Sequence, residues 1–316
     1  MLRFILRRMV FSVGVLLVVS AVIFLLTHLV PGSPAIIVLG ADASSEQVRE
    51  FERRYGLDRP LAVQYLAWLR DIVLHGDFGR SYISGQPISG EVARTFPVTL
   101  EIVILAFLFC VSVSLPLGIV SALYQGRLVD HVARIFAVIG VSVPGFWLGL
   151  MLIVYGAVHL RLFPPGGFIP WSAGLGPHLQ SVVLPALALG VYYTAIISRM
   201  TRSSMIEVAA QDYIRTARAM GLSRRRVLQY ALKNALIPVV SVSAMSVGYM
   251  FGWAIIIEQV FNIAGLSRAL LSAIFQRDYY TVQAVVLVIT TVFITANVAA
   301  DVVYRLLDPK IRGVAA

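Results

Sequence analysis

The chain has 316 residues, of which 59% are apolar and only 13% charged, and its mean hydropathy is +0.84. Soluble globular proteins carry roughly 25% charged residues, so this composition excludes a disordered chain, a coiled coil and an ordinary soluble enzyme. The net charge of +10 would suit nucleic acid in a soluble protein. In a membrane protein it marks orientation, because Lys and Arg are retained on the cytoplasmic side, and no nucleic-acid partner is expected.

A membrane-crossing helix needs about 20 apolar residues at 1.5 Å each to cover a hydrocarbon core of roughly 30 Å. Six windows qualify, Met9–Val30, Val98–Tyr124, Val132–Val158, Ser181–Ser198, Ala235–Phe261 and Val282–Tyr304, of which the fourth is short and begins around Pro185. The expected fold is therefore an all-α polytopic membrane protein with six transmembrane helices. Ala41-Asp42-Ala43 resembles a small-x-small cleavage site, but signal cores usually run 7–15 residues. The longer first window is read as an uncleaved anchor. Cys110 is the single cysteine, so no internal disulfide can form and the redox compartment stays open.

An even span count puts both termini on one side. That side collects Arg3, Arg7, Arg8, Arg127, Arg134, the basic residues from Arg199 to Lys233, and Arg305, Lys310 and Arg312; the short loops opposite hold only Arg161, Arg268 and Arg277. Both termini are expected to be cytoplasmic. Three parts follow: residues 1–30 as tip and first span, 31–97 as an extracytoplasmic segment, and 98–316 as a core of five spans with a cytoplasmic loop at 199–234.

The segment 31–97 reads as soluble and mostly helical. Ser44 followed by Gln47 makes a capping box, and Gly56 can close that helix. After Pro60, the residues Leu61, Tyr65, Trp68, Leu69 and Ile72 share a helical face up to Gly76. The stripe packs on the protein's own body, lies at the headgroups, or docks an external partner. The loop from His159 to Gln180 is a Pro/Gly turn region in which no chemistry is read. Between Phe261 and Val282, Leu266, Leu270 and Ile274 suggest a short amphipathic helix, interfacial or part of an outer gate.

In the loop 199–234, Met205, Val208, Ala209, Tyr213 and Ala217 suggest one amphipathic helix. Gly221 breaks it, and Ser223 can cap a second whose apolar side is Val227, Tyr230 and Ala231. Arg224, Arg225 and Arg226 in that helix's first turn oppose its dipole, which asks for compensation from outside. Topology signalling, acidic lipid, or a plug for a partner's groove would each supply it.

Catalytic patterns are missing. The two lysines, Lys233 and Lys310, follow Leu232 and Pro309, so there is no Gly-Lys-Ser/Thr phosphate loop. No His/Cys spacing suits a metal and no Gly-x-Ser-x-Gly elbow occurs. Ionisable groups in or beside spans are His28, Glu101, Arg134, Glu258 and Asp301, all near expected ends. Glu101 fits dipole stabilisation in a first turn. Glu258, with Phe261 and Trp253, is the candidate for an outer gate or pathway, a hydrogen-bonded structural role being the alternative for Glu258. An ion-driven carrier would keep a carboxylate near the midplane. The chain thus reads as a conduit without an engine, with an ion-coupled secondary transporter working without ATPase partners as the alternative.

Asp212-Tyr213-Ile214-Arg215-Thr216-Ala217-Arg218-Ala219-Met220-Gly221-Leu222-Ser223 with Asn234-Ala235-Leu236-Ile237-Pro238 resembles the cytoplasmic loop of bacterial ABC-transporter permeases of the dipeptide, oligopeptide and nickel importer class. Pro31-Gly32-Ser33-Pro34, Gly76-Asp77-Phe78-Gly79-Arg80-Ser81, Glu258-Gln259-Val260-Phe261, Arg277-Asp278-Tyr279 and Leu307-Asp308-Pro309-Lys310-Ile311-Arg312 agree with it, in order and nearly end to end. Arg215 and Thr216 stand where the general permease signature has Glu and Ala, a departure this class resembles.

The resemblance implies a type I importer permease in the bacterial plasma (inner) membrane. It would be paired with a second homologous permease, giving a heterodimer, two ATPase subunits that bind ATP and Mg, and an extracytoplasmic solute-binding protein. No cofactor is expected in this chain. Coupling to the ATPases would fall on Asp212, Tyr213, Arg215, Ala217, Gly221, Leu222, Ser223, Arg224 and Arg225.

Overall fold

In a computed structural model of the chain, residues 2–29 and 33–307 are described, with side chains for 6–29 and 33–303. Met1, Val30, Pro31, Gly32 and the stretch from Asp308 to Arg312 lie outside the described residues. All named elements are helices, and the chain divides into two compact units, Met1–Thr99 with Ala264–Thr291 and Leu100–Ile263 with Val292–Ala316.

Among the described residues, five helices are long and apolar enough to cross a membrane: α1 (Leu2–Leu29), α5 (Ile88–Leu123), α8 (Leu175–Ala209), α10 (Arg224–Val260) and α12 (Tyr279–Leu307). A sixth crossing requires the bent pair α6 (Leu128–Ser142) and α7 (Gly145–Leu152), the second continued by a π-helical stretch Ile153–His159 and turned 99° from the first. The sequence suggested one window over Val132–Val158. It breaks at Pro144, which has no N–H and drives Val143 before it into extended backbone, φ −82° and ψ 121°. The other windows are shorter than the helices they mark, because polar turns at helix ends carry no hydropathy signal. Pro185, expected near a start, lies well inside α8, as membrane helices allow.

In the first unit, α2 (Pro34–Leu39), α3 (Ser45–Tyr55) and α4 (Leu61–His75) follow α1. The Ser44–Gln47 capping box forms in both directions, and Gly56 and Gly76 close α3 and α4 in left-handed backbone. The stripe on α4 packs on α1. Tyr65 and Trp68 meet Phe24 with ring centroids 5.4 and 6.2 Å apart, and the Tyr65 hydroxyl lies 2.9 Å from Ser20 Oγ.

Contact with Ser20, nine residues before Leu29, puts α4 about 14 Å down α1 at 1.5 Å per residue. Of the placements open to the stripe, packing on the protein's own body is the one observed. A second core joins Ala35, Phe51, Tyr82 and Tyr279. Asp278 clasps it, accepting from the Tyr82 N–H at 3.2 Å and the Thr281 hydroxyl at 2.8 Å. Burial pushes the Tyr82 phenol far above its ordinary range. The amphipathic helix expected around Leu266 is α11 (Leu266–Gln276), with Leu266 and Leu270 buried and Ile274 exposed.

In the second unit α8 is the central, most buried helix, packed on α6, α7 and α10. Small residues permit the approach: a Cβ at Gly190 would stand 2.9 Å from Ala106 O, and one at Gly118 2.6 Å from Ser198 O. Lipid tails are as apolar as side chains, so such close van der Waals contact is what holds spans together.

Candidate functional site

Residues 199–234 fold into an elbow built from the end of α8, the eight-residue α9 (Asp212–Ala219) and the start of α10. The single helix expected through Met205, Ala209, Tyr213 and Ala217 is two, parted where Gln211 turns extended. Burial decides this. Met205 and Ile214 belong to one apolar cluster with Val227, Ala231 and Ala235, supported by Ala217, Leu222 and Ile119. A straight helix would carry residue 214 about 14 Å from residue 205 along the axis; the turn brings it back.

α9 ends as the sequence suggested. Gly221 has φ +77°, and a Cβ there would meet nothing within 4 Å, so glycine is needed for backbone conformation rather than for room. The Leu222 N–H bonds to Ala217 O at 3.2 Å and Leu222 joins the cluster. Ser223 occupies the N-cap position of α10 in extended backbone, yet its side chain makes no capping bond. Arg224, Arg225 and Arg226 stand exposed in the first turn. The second helix of the loop and the fifth window are one continuous helix, Arg224–Val260.

The result is an apolar underside, Ile214 and Ala217, carrying an exposed face of Asp212, Tyr213, Arg215, Thr216, Arg218 and Met220. Tyr213 is tied back by the Asn234 amide, which donates to its hydroxyl at 2.8 Å. Asp212 and Arg215 approach to 3.3 Å with 92% and 79% of their side chains exposed, so the pair adds little stability. A charged knob on an anchored helix offers shape and charge to a groove. It holds no nucleophile–base pair.

Behind the elbow lies a buried ion pair that sequence reasoning missed. Asp130, in the first turn of α6 and 1% exposed, receives Arg202 Nε at 2.7 Å and Nη2 at 2.8 Å. The Ser121 hydroxyl donates at 2.6 Å and the Gly126 N–H at 2.9 Å. Every lone-pair direction of the carboxylate is used, which is the condition for a buried charge. Ser204 adds a hydrogen bond to Ala235 O at 2.8 Å. Asp130 and Arg202 are 72 positions apart, so no local pattern joins them.

Glu101 also departs from expectation. It lies far inside α5, away from the first turn, and its Oε1 is 2.5 Å from His178 Nε2. His178 is fully buried, its Nδ1 2.6 Å from Ile169 O and its ring stacked on Trp171 at 3.8 Å. The loop read as free of chemistry thus runs into a buried polar contact.

The three gate candidates do not converge on one surface. Glu258 and Phe261 are fully buried, and Phe261 O accepts from the Gly167 N–H at 2.7 Å. Trp253 is exposed and lines two adjoining concavities of about 430 and 390 Å³ that share Tyr192, Tyr193 and Trp253. The Tyr193 hydroxyl, buried beside them, has no hydrogen-bond partner among the described residues. No group of three His, Cys, Asp or Glu side chains among the described residues could hold a metal ion.

Two family models match the chain: the binding-protein-dependent transport system inner membrane component over residues 114–313, and its N-terminal companion over residues 1–103. A Brucella abortus (strain 2308) protein named as a peptide transport system permease is 39% identical over 313 residues, covering 99% of each chain. The glutathione transport system permease protein GsiC of Salmonella choleraesuis (strain SC-B67) is 38% identical over 313 residues with the same coverage. Among solved structures, an inward-facing form of the MetNI methionine ABC transporter aligns with a TM-score of 0.55 at 17% identity, covering 69% of this chain and 96% of that chain; this likeness shows the fold.

Proposed function

The chain belongs to the inner-membrane components of binding-protein-dependent transport systems and is a multi-pass permease subunit of an ABC importer, and from that premise we propose that its elbow at 199–234 is the lever through which partner ATPases drive it. Family membership removes the ion-coupled carrier as the leading alternative. The observation that carries the reading is the construction of α9, apolar below and charged above, between a left-handed Gly221 and the unbroken α10. A two-state membrane machine needs such a rigid element, because nucleotide can bias a conformation only through contacts that differ between states.

In this reading both termini and the elbow are cytoplasmic, and residues 31–97 face outward beside the first span. ATP and Mg bind to two ATPase subunits, and this chain holds no cofactor. A second, similar permease completes a heterodimer, and an extracytoplasmic binding protein delivers the solute. Asp212, Tyr213, Arg215, Arg224 and Arg225 present side chains to the ATPases. Ala217, Gly221, Leu222 and Ser223 set the lever's shape. Peptides and peptide-like solutes such as glutathione are the proposed cargo, in keeping with the names of the relatives. Trp253, with Tyr192 and Tyr193, lines this chain's half of the path. Glu258 and Phe261 brace its outer end.

The test is Gly221→Asp, and separately Arg224→Glu with Arg225→Glu, in the reconstituted assembly. Uptake should fall to background while membrane insertion and basal ATP hydrolysis persist. Normal uptake in both variants would remove the lever.

A further inference from the structure

The first unit contains a feature that transport coupling does not use. A cavity of about 280 Å³ opens between α3, α4, the turn at Asp77–Gly79 and Tyr280. Arg53, Arg54, Arg59 and Arg70 stand around it. Arg70 is bonded to Asp71, with Nη2 at 2.8 Å; Arg53, Arg54 and Arg59 have no carboxylate partner among the described residues. Trp68, 6% exposed, forms part of the wall, and its indole N–H has no hydrogen-bond partner among the described residues. Four guanidinium groups against the two carboxylates of Asp71 and Asp77, beside a buried, unused donor, give the cavity a surplus of positive charge that suits an anion.

The surroundings select the anion's source. Besides the stripe facing α1, α4 carries a second apolar face on its outside: Leu66 is 63% exposed, Val73 71% and Leu74 68%. A helix apolar on both sides is not a water-facing helix. Trp68 meets Phe24, and Gln64 Oε1 lies 3.3 Å from His28 Nε2. The cavity is therefore level with the last turns of α1's apolar span, where headgroups meet hydrocarbon.

We propose that this cavity binds the phosphate of a membrane phospholipid, held by Arg53, Arg54 and Arg59, with the acyl chains against Leu66, Val73 and Leu74. Its surplus of positive charge favours an anionic headgroup such as phosphatidylglycerol. The outer leaflet is implied by the orientation proposed above; the site itself is not, since phospholipid lines both faces.

The purified full assembly is placed in nanodiscs of phosphatidylcholine containing phosphatidylglycerol, and the lipid retained on gentle detergent extraction is counted by native mass spectrometry. Arg54→Gln with Arg59→Gln should lower retained phosphatidylglycerol roughly thirtyfold, since each basic residue at an anionic surface contributes about 1 kcal/mol. Arg54→Lys with Arg59→Lys should keep more of it. Equal retention in wild type and the Gln variant overturns the site. Inorganic phosphate competing the lipid off at equal concentration overturns the lipid assignment in favour of a free anion. Unchanged lipid with weakened binding-protein capture overturns it in favour of a protein carboxylate. An impermeant thiol label on Ser84→Cys reports which side this segment faces, so an error in orientation is read separately from an error about the lipid.

Discussion

α8 and α9 are neighbours in sequence and opposites in construction. α8 is the most buried of the spans, packed on α6, α7 and α10, approached closely by α5, and pinned by the Asp130–Arg202 pair. α9 has one fully buried residue, Ile214, one half-buried, Ala217, and an otherwise exposed surface. The difference separates scaffold from the proposed handle: the first is held by many buried side chains, whereas the second is anchored by Ile214 and leaves its outer face exposed.

That contrast can be broken from the scaffold side first. Asp130→Ala strands Arg202 in a mostly buried site and should cost about 3 kcal/mol or more, read as a lower unfolding midpoint in detergent or as failure to accumulate in the membrane. If Asp130→Ala unfolds like the native chain, α8 is not pinned there. Ile214→Ala removes the only deeply buried contact of α9 and should cost about 2–3 kcal/mol locally. Proteolysis at residues 210–222 should rise while the spans' midpoint stays nearly fixed; a global loss equal to that of Asp130→Ala would erase the distinction. Gly221→Ala imposes a left-handed alanine at about 1 kcal/mol. Uptake should fall by more than stability does. Arg215→Ala should change stability by less than about 0.5 kcal/mol, so any loss of uptake there reports on partner contact.

Legibility followed sequence distance. Ser44 with Gln47, Gly56, Gly76 and Gly221 act within one or two turns, and each is where its local chemistry puts it. The family was legible because α9 and its flanks are a local motif. Glu101 with His178 and Asp130 with Arg202 were not, since partners 77 and 72 positions apart leave no periodic trace. The break between α8 and α9 was missed because an apolar pattern continued through it; only the need for Met205 and Ile214 to share one cluster ends the helix. Span limits failed at the polar turns of α10, where hydropathy stops at Ala235 and hydrogen bonding runs back to Arg224.

The unbroken course of α10 has a mechanical corollary. Its 37 residues make a shaft of about 55 Å, footed in the elbow cluster and ending at Phe261. A stiff shaft tilted about a point near its middle moves its two tips in opposite directions by similar amounts. If the proposed lever draws the foot inward, the head would swing outward with no relay in between. Pro238, the one residue inside α10 that lacks a backbone donor, is where such a shaft would yield, and its stiffness sets how much of the stroke arrives at the far tip.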